Sequence, residues 1–334
     1  MMMKKIAIFA VAVGVLLAIS AEAAHAEKAE ITLSKQYGIH YLPLIVAEEL
    51  KLIEKHAKAA GLGEVKTHWA TFSNGAASND ALLSGSVDLV SGGAAPFIRL
   101  WAKTKGGLDV KALAALDQIP ITLNTHNPKI KTIADFTEND RIALPTAKVS
   151  IQALILQIAA AKAFGKANYD RLDKLTVSLK HPDALTALLG GKSEITAHVT
   201  SEPYATVELS NPGVHRVLNS FEVFGGRHTS DVVWTTDKFV RENPKLAQAI
   251  VAALKESVQW ILADKKRAAE LYVRVSKSNE SVALIHGILN SPDVHYAVAP
   301  LDNFTVFSDF LFETGAVAHK AENVRELFFE RAFE

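Results

Sequence analysis

The 334-residue sequence has no cysteine. That excludes disulfides, cysteine-ligated zinc or iron–sulfur clusters, a thiol nucleophile and a lipid-modified cysteine anchor. It also has no net charge, with 36 basic against 36 acidic residues. Nucleic-acid binding needs a basic field to neutralise phosphates, so that class is excluded as well. Aromatic residues are sparse at 7%, but the apolar share of 49% is ample for buried cores, and the length suggests about two domains.

The first 26 residues differ from the rest. Lys4 and Lys5 precede an apolar run, Ile6–Ile19, and then Ala21-Glu22-Ala23 and Ala24-His25-Ala26 each offer a small-x-small cleavage site. This is the three-part pattern of a secretory signal, with removal expected after Ala26. An apolar run of 14 residues is short of the roughly 20 that span a bilayer. No later segment reads as a span, so the mature chain is expected to be exported, unanchored and monomeric in a bacterial periplasm. Removing Lys4, Lys5 and Glu22 with the leader leaves 34 basic and 35 acidic residues.

From Glu30 onward, short apolar runs alternate with helical stretches, the pattern of α/β architecture. One βαβ series runs to about Thr125 and a second from Arg141 to Leu218. A return strand, Val232–Thr236, follows, and then a mostly helical tail from Pro244. Parallel βαβ units bind ligands at the carboxyl ends of their strands, so two such units imply a cleft between lobes.

Three phrases carry a resemblance. They are GIHYLPLIVAEELKLIEKHA (Gly38–Ala57), FSNGAASNDALLSGSVDLVSGG (Phe72–Gly93) and ALLGGKSEITAHVTSEPY (Ala187–Tyr204); DVVWTTDKFVRENPKLAQAIVAAL (Asp231–Leu254) fits the returning segment. Together they resemble the nitrate/sulfonate/taurine-binding family of periplasmic substrate-binding proteins of ABC importers. The resemblance implies a type II periplasmic-binding-protein fold: two Rossmann-like α/β lobes with mixed, mostly parallel sheets, joined by two crossovers. Residues 27–119 and 232–334 would form lobe 1. Residues 120–231 would form lobe 2 with the crossovers, which are expected near Asp117–Asn124 and Phe221–Val232. It also implies an inner-membrane permease as partner and a small ligand.

Candidate ligand-binding residues follow from strand ends and helix starts. Tyr37, His40 and Tyr41 lie in the loop after the first strand and pair hydrogen-bonding groups with flat apolar faces. Ser73, Asn74 and Gly75 open a helix, and Gly92, Gly93 and Ala94 leave room beside the main chain before another. Exposed N–H groups at such termini favour an anion. In the second lobe, Lys148 and Ser150 lead into a helix, and His198, Thr200 and Ser201 close a strand. Arg227 and His228 fall in the return crossover, where an arginine can grip a sulfonate or carboxylate with two prongs. For each, the competing reading is an ordinary cap, turn, core or surface role.

No G-x-S-x-G elbow, H-E-x-x-H pair or Walker A loop occurs, so no catalytic residue, metal or cofactor is expected. The pyrimidine-precursor synthases that share the fold use a cysteine-bearing iron-site motif, which this chain lacks. The expected function is capture of a small organic anion, alkanesulfonate- or taurine-like, for uptake. Nitrate, a thiamine-precursor-like heterocycle and a sensory role are the alternatives.

Overall fold

The computed structural model describes Ala26–Glu334; all of the expected leader but Ala26 lies outside the described residues. The first series contains β1 (Glu30–Lys35), α1 (Leu42–Glu49), α2 (Leu52–Ala59), β2 (Lys66–Thr71), α3 (Gly75–Leu83), β3 (Val90–Gly93), α4 (Ala94–Thr104), β4 (Lys111–Ala115) and β5 (Asp117–Gln118). The second contains β6 (Thr122–Thr125), β7 (Ile142–Leu144), α5 (Ile151–Phe164), β8 (Thr176–Ser178), α6 (His181–Leu189), β9 (Ala197–Thr200), α7 (Tyr204–Leu209), β10 (His215–Asn219) and α8 (Ser220–Phe224). The return begins with β11 (Asp231–Thr235) and continues through α9 (Asp237–Glu242), α10 (Pro244–Ala263), α11 (Lys265–Ser276), α12 (Val282–Asn290), β12 (His295–Tyr296), α13 (Thr305–Glu313) and α14 (Val324–Leu327).

Two sheets share one plan. In lobe 2 the order is β10-β6-β9-β7-β8, with β6 antiparallel to both neighbours and β7 parallel to β8 and β9. In lobe 1, β3-β11-β4 and β1-β2 are joined by the parallel bridge of Leu33 with Leu89, and β11 is antiparallel to β3 and β4. Each sheet therefore has one reversed strand, β6 or β11, and each reversed strand is the first after a crossover. The carboxyl ends of β1, β2, β3, β7, β8 and β9, or the segments that follow them, reach the space between the lobes at Gln36, Ser73, Gly93, Pro145, His181 and Ser201.

The crossovers run side by side. Ser220 N–H donates to the Ile121 carbonyl at 2.9 Å, and the Ser230 hydroxyl donates to the Ile119 carbonyl at 2.7 Å. Arg227 and His228 sit here and not on the cleft. His228 is fully buried against Phe221, Phe224 and Phe307, with Nε2 2.8 Å from the Ser220 hydroxyl. Burial pushes its imidazole down to about 4, which keeps it neutral. Arg227 donates to the Pro292 carbonyl and lies over the Phe221 ring. Both residues pack the hinge, so the expected two-pronged grip on a ligand is absent.

Local sequence explains the boundaries near the site. Asn74 and Ser150 cap α3 and α5 by accepting the N–H groups of Ala77 and Ala153. Lys51, in the left-handed region at φ 51°, divides α1 from α2. Helix α10 corrects the expectation that no later segment is long and apolar enough to span a bilayer. Its 20 residues meet that test by length and composition. They do so because Leu246, Ile250, Ala253 and Leu254 form a stripe buried in the lobe 1 core.

Candidate ligand-binding site

The lobes are in contact. Ile39 N–H donates to the Glu202 carbonyl at 3.0 Å, and Arg99 donates from Nη2 to the Lys148 carbonyl at 3.1 Å. Gly93 faces Ile151 so closely that a Cβ there would lie 2.5 Å from the isoleucine Cγ2. Between the lobes is a cavity of about 30 Å³. Lobe 1 lines it with Gln36, Tyr37, His40, Tyr41, Ser73, Gly75, Gly93, Pro96 and Asp231; lobe 2 contributes Pro145, Ser150, Ile151, Gln152, His181 and Ser201.

Three helices begin on this cavity: α3 at Gly75, α4 behind Gly93, and α5 at Ile151. The first four N–H groups of any helix lack intrahelical partners. The Asn74 and Ser150 caps take only the third of these in α3 and α5. Among the described residues, the N–H groups of Gly75, Ala76, Ala95, Ile151 and Gln152 have no protein acceptor. Three positive dipole ends and several free donors make an anion-binding surface without a lysine or arginine. Lysine and arginine are absent from the described lining.

One wall is a buried polar cluster. His40 Nδ1 lies 3.0 Å from Asp117 Oδ1 and 3.1 Å from Asp231 Oδ2, and the Tyr41 hydroxyl donates to Asp231 Oδ1 at 2.7 Å. Burial works against charge on His40, yet the Asp117 carboxylate and the hydrogen bonds to both aspartates outweigh it and raise the imidazole to about 10. Burial raises Asp117 to about 7, against the lowering influence of His40. His40 Nε2 and Asp117 Oδ2 have no hydrogen-bond partner. The donor atoms of His40, Asp117 and Asp231 lie within 4.8 Å of one another, near enough to hold a metal ion. The proton on Nδ1 accounts for that spacing, and a metal would have to displace it.

The opposite wall leads into lobe 2. His181 Nδ1 is 2.9 Å from His198 Nε2, His198 Nδ1 is 2.5 Å from Glu208 Oε1, and Asn124 Nδ2 donates to Glu208 Oε2 at 2.9 Å. Gln152 closes the cavity end of the chain, 3.3 Å from His181 Nε2. Burial lowers His198 to about 3 and raises Glu208 to about 8, so at neutral pH the chain holds one proton on Glu208 and no net charge. A carboxyl raised above its usual 4.5 favours the fold below pH 4.5 and loses that advantage as pH rises through about 8. Glu208→Gln removes this dependence. Its stability relative to the parent should therefore rise by on the order of 4 kcal/mol between pH 4.5 and 8, read from circular-dichroism melts; a constant difference would mean Glu208 is already ionised.

Of the residues expected at the cleft, Tyr37, His40, Tyr41, Ser73, Gly75, Gly93, Ser150 and Ser201 line the cavity. Others lie behind it. Asn74 is a cap, and Gly92 makes room for the Gln36 amide, which would be 2.5 Å from a Cβ there. Ala94 N–H is taken by the Ser230 carbonyl at 3.0 Å. His198 and Thr200 are fully buried in β9, and His198 reaches the cavity only through His181. Lys148 sits in the left-handed region at φ 65°, presents its carbonyl to Arg99 and does not line the cavity. The sequence reading missed Gln36, Pro96, Pro145, Ile151, Gln152, His181 and Asp231. His181-Pro182 opens a helix directly after a strand, which is the same signal that marked Ser73 and Ser150.

A family profile described as NMT1-like matches residues 24–275. The chain belongs to the NMT1-like family. Curated protein sequences give no match. Among solved structures, the family member resembles the alkanesulfonate-binding protein SsuA from Xanthomonas axonopodis pv. citri bound to MOPS. The TM-score is 0.70 at 18% identity over 92% of this chain and 98% of that one. The periplasmic aliphatic sulphonate binding protein SsuA from Escherichia coli gives 0.68 at 20% identity, over 91% and 99%. The periplasmic nitrate-binding protein NrtA from Synechocystis PCC 6803 gives 0.70 at 15% identity, over 92% and 88%. At these identities the likeness shows a periplasmic-binding-protein fold.

Proposed function

We propose that this chain is the periplasmic solute-binding component of an ABC uptake system and that it carries a small organic anion to an inner-membrane permease. The observation that carries the reading is the convergence of three helix N-termini, two from lobe 1 and one from lobe 2, on one interlobe cavity. An anion held there touches both lobes and stabilises their contact, so closure follows from its higher affinity for the closed state. The permease reads the closed form. Sulfonate is favoured over nitrate because Tyr37, His40 and Tyr41 give the cavity ring faces for an organic body.

Asp231 on the lining and the lack of a lysine or arginine there support a second reading, an uncharged nitrogen heterocycle that donates to Asp231 and accepts from His40. A thermal-shift panel separates the two. Alkanesulfonates of increasing length, taurine, nitrate and a neutral pyrimidine are compared at equal concentration. A ligand at 100 times its Kd stabilises by about 2.7 kcal/mol, a shift of several degrees. Stabilisation by a sulfonate and not by the pyrimidine is expected; the reverse pattern replaces the anion reading with the heterocycle. Recovery of the ligand chemically unchanged is also expected, and turnover would contradict a purely binding role.

A further inference from the structure

A second and much larger cavity, about 550 Å³, lies beside the first. The two share Gln36 and Tyr37 as lining residues. They also share a wall in lobe 2, where the Tyr204 ring of the large cavity stacks on the His181 ring of the small one, centroids 5.5 Å apart and 21° between planes. Both lobes build the large cavity, so whatever fills it also senses closure. The small cavity holds little more than an oxyanion: a single water already requires roughly 10–15 Å³ by the same measure. An organic body attached to that head has to extend elsewhere.

The chemistry of the large cavity suits such a body. Ile45, Tyr272 and Val275 of lobe 1 face Leu185, Tyr204 and Val207 of lobe 2. Its charged groups are two of each sign: Lys35 is ion-paired with Glu48, and Lys277 and Glu280 share one loop. The walls therefore favour no net charge. At about 550 Å³ the space lies within the range of sites for drug-sized molecules and is several times the roughly 150 Å³ that accommodates benzene.

We propose that the ligand is an oxyanion bearing a bulky apolar body, a ring system or a medium-length chain, with its head in the small cavity and its body in the large one. This rests on the anion reading of the small cavity, but the two can fail separately. Isothermal titration calorimetry with methanesulfonate, 2-naphthalenesulfonate and uncharged 2-naphthol tests both. Each buried methylene-sized group is worth several-fold in affinity, so 2-naphthalenesulfonate should bind at least about 100-fold tighter than methanesulfonate. Leu185→Trp, which fills the large cavity from α6, should cut that ratio below about 10 in a protein whose circular dichroism matches the parent. Equal affinities for the two sulfonates, or a ratio unchanged by Leu185→Trp, overturn the assignment and leave the anion reading standing. If 2-naphthol binds as tightly as its sulfonate, and Leu185→Trp weakens both, the large cavity is upheld and the anion head is refuted. No binding by any of the three overturns the assignment.

Discussion

Gly93→Val should give a folded protein that binds its ligand at least about 100-fold more weakly. Gly93 caps α4 at φ −66° and ψ 157°, an extended conformation open to any residue, so valine causes no backbone strain. The obstacle is across the cleft. The first side-chain carbon would lie 2.5 Å from Ile151 Cγ2 and 2.8 Å from Ile151 Cβ, and these atoms belong to the first turn of α5 in the other lobe. Such an overlap is relieved by parting α4 from α5, which opens the apolar packing that the two lobes share around Ile151. Parting them separates the α3 and α4 termini from the α5 terminus, and the ligand loses donors from one side. Small-angle scattering should show an expanded, open particle that does not contract on adding ligand. Titration calorimetry should show the weakened binding, in a protein whose circular dichroism matches the parent. The compensating change Gly93→Val with Ile151→Ala should recover much of the affinity. If Gly93→Val alone binds normally in a folded protein, the Gly93–Ile151 contact has no part in closure.

How much of this was legible beforehand depended on the range of the interaction. Caps and breaks are local: Asn74, Ser150 and the division of α1 from α2 show in a few consecutive residues, and so does the run of strand, loop and helix that marks a cavity edge. An element of five residues such as α8 gives no helical period to detect, and it falls at the start of the expected return crossover. Lys148 and Arg227 illustrate a different limit. Both are cations near the right place in sequence, but a left-handed backbone at one and a carbonyl partner in a distant loop at the other keep them off the cavity. Asp117 and Asp231 are separated by more than a hundred residues and meet only because the two crossovers run together. Nothing periodic or motif-like in the sequence announces that pair. His40 was visible as a candidate, whereas the reason it carries charge was not.

That charge leads to the largest expected effect on stability. His40→Leu should destabilise the fold by about 3–5 kcal/mol at pH 7, because it leaves Asp117 and Asp231 buried beside each other without the shared proton. His40→Gln is the gentler probe: its amide can still donate to one aspartate, but it does not titrate. The imidazole is raised from 6.5 to about 10 in the fold, so its contribution is complete below pH 6.5 and lost as pH rises through about 10. Asp117, raised from 3.8 to about 7, acts in the same direction over a lower window, favouring the fold below pH 3.8 and losing that advantage by about pH 7. Between pH 6.5 and 10 the parent should therefore lose on the order of 4 kcal/mol that His40→Gln does not lose. Urea denaturation followed by tryptophan fluorescence at pH 6.5, 8 and 10 measures the difference. A parent and variant that decline in parallel would show that His40 is neutral in the fold. Its Nε2, which has no protein partner on the cavity wall, would then meet the ligand as an acceptor and not as a charged donor. A parent that declines alone makes the imidazolium a cationic donor on that wall, which adds to the neutral donors of the three helix termini.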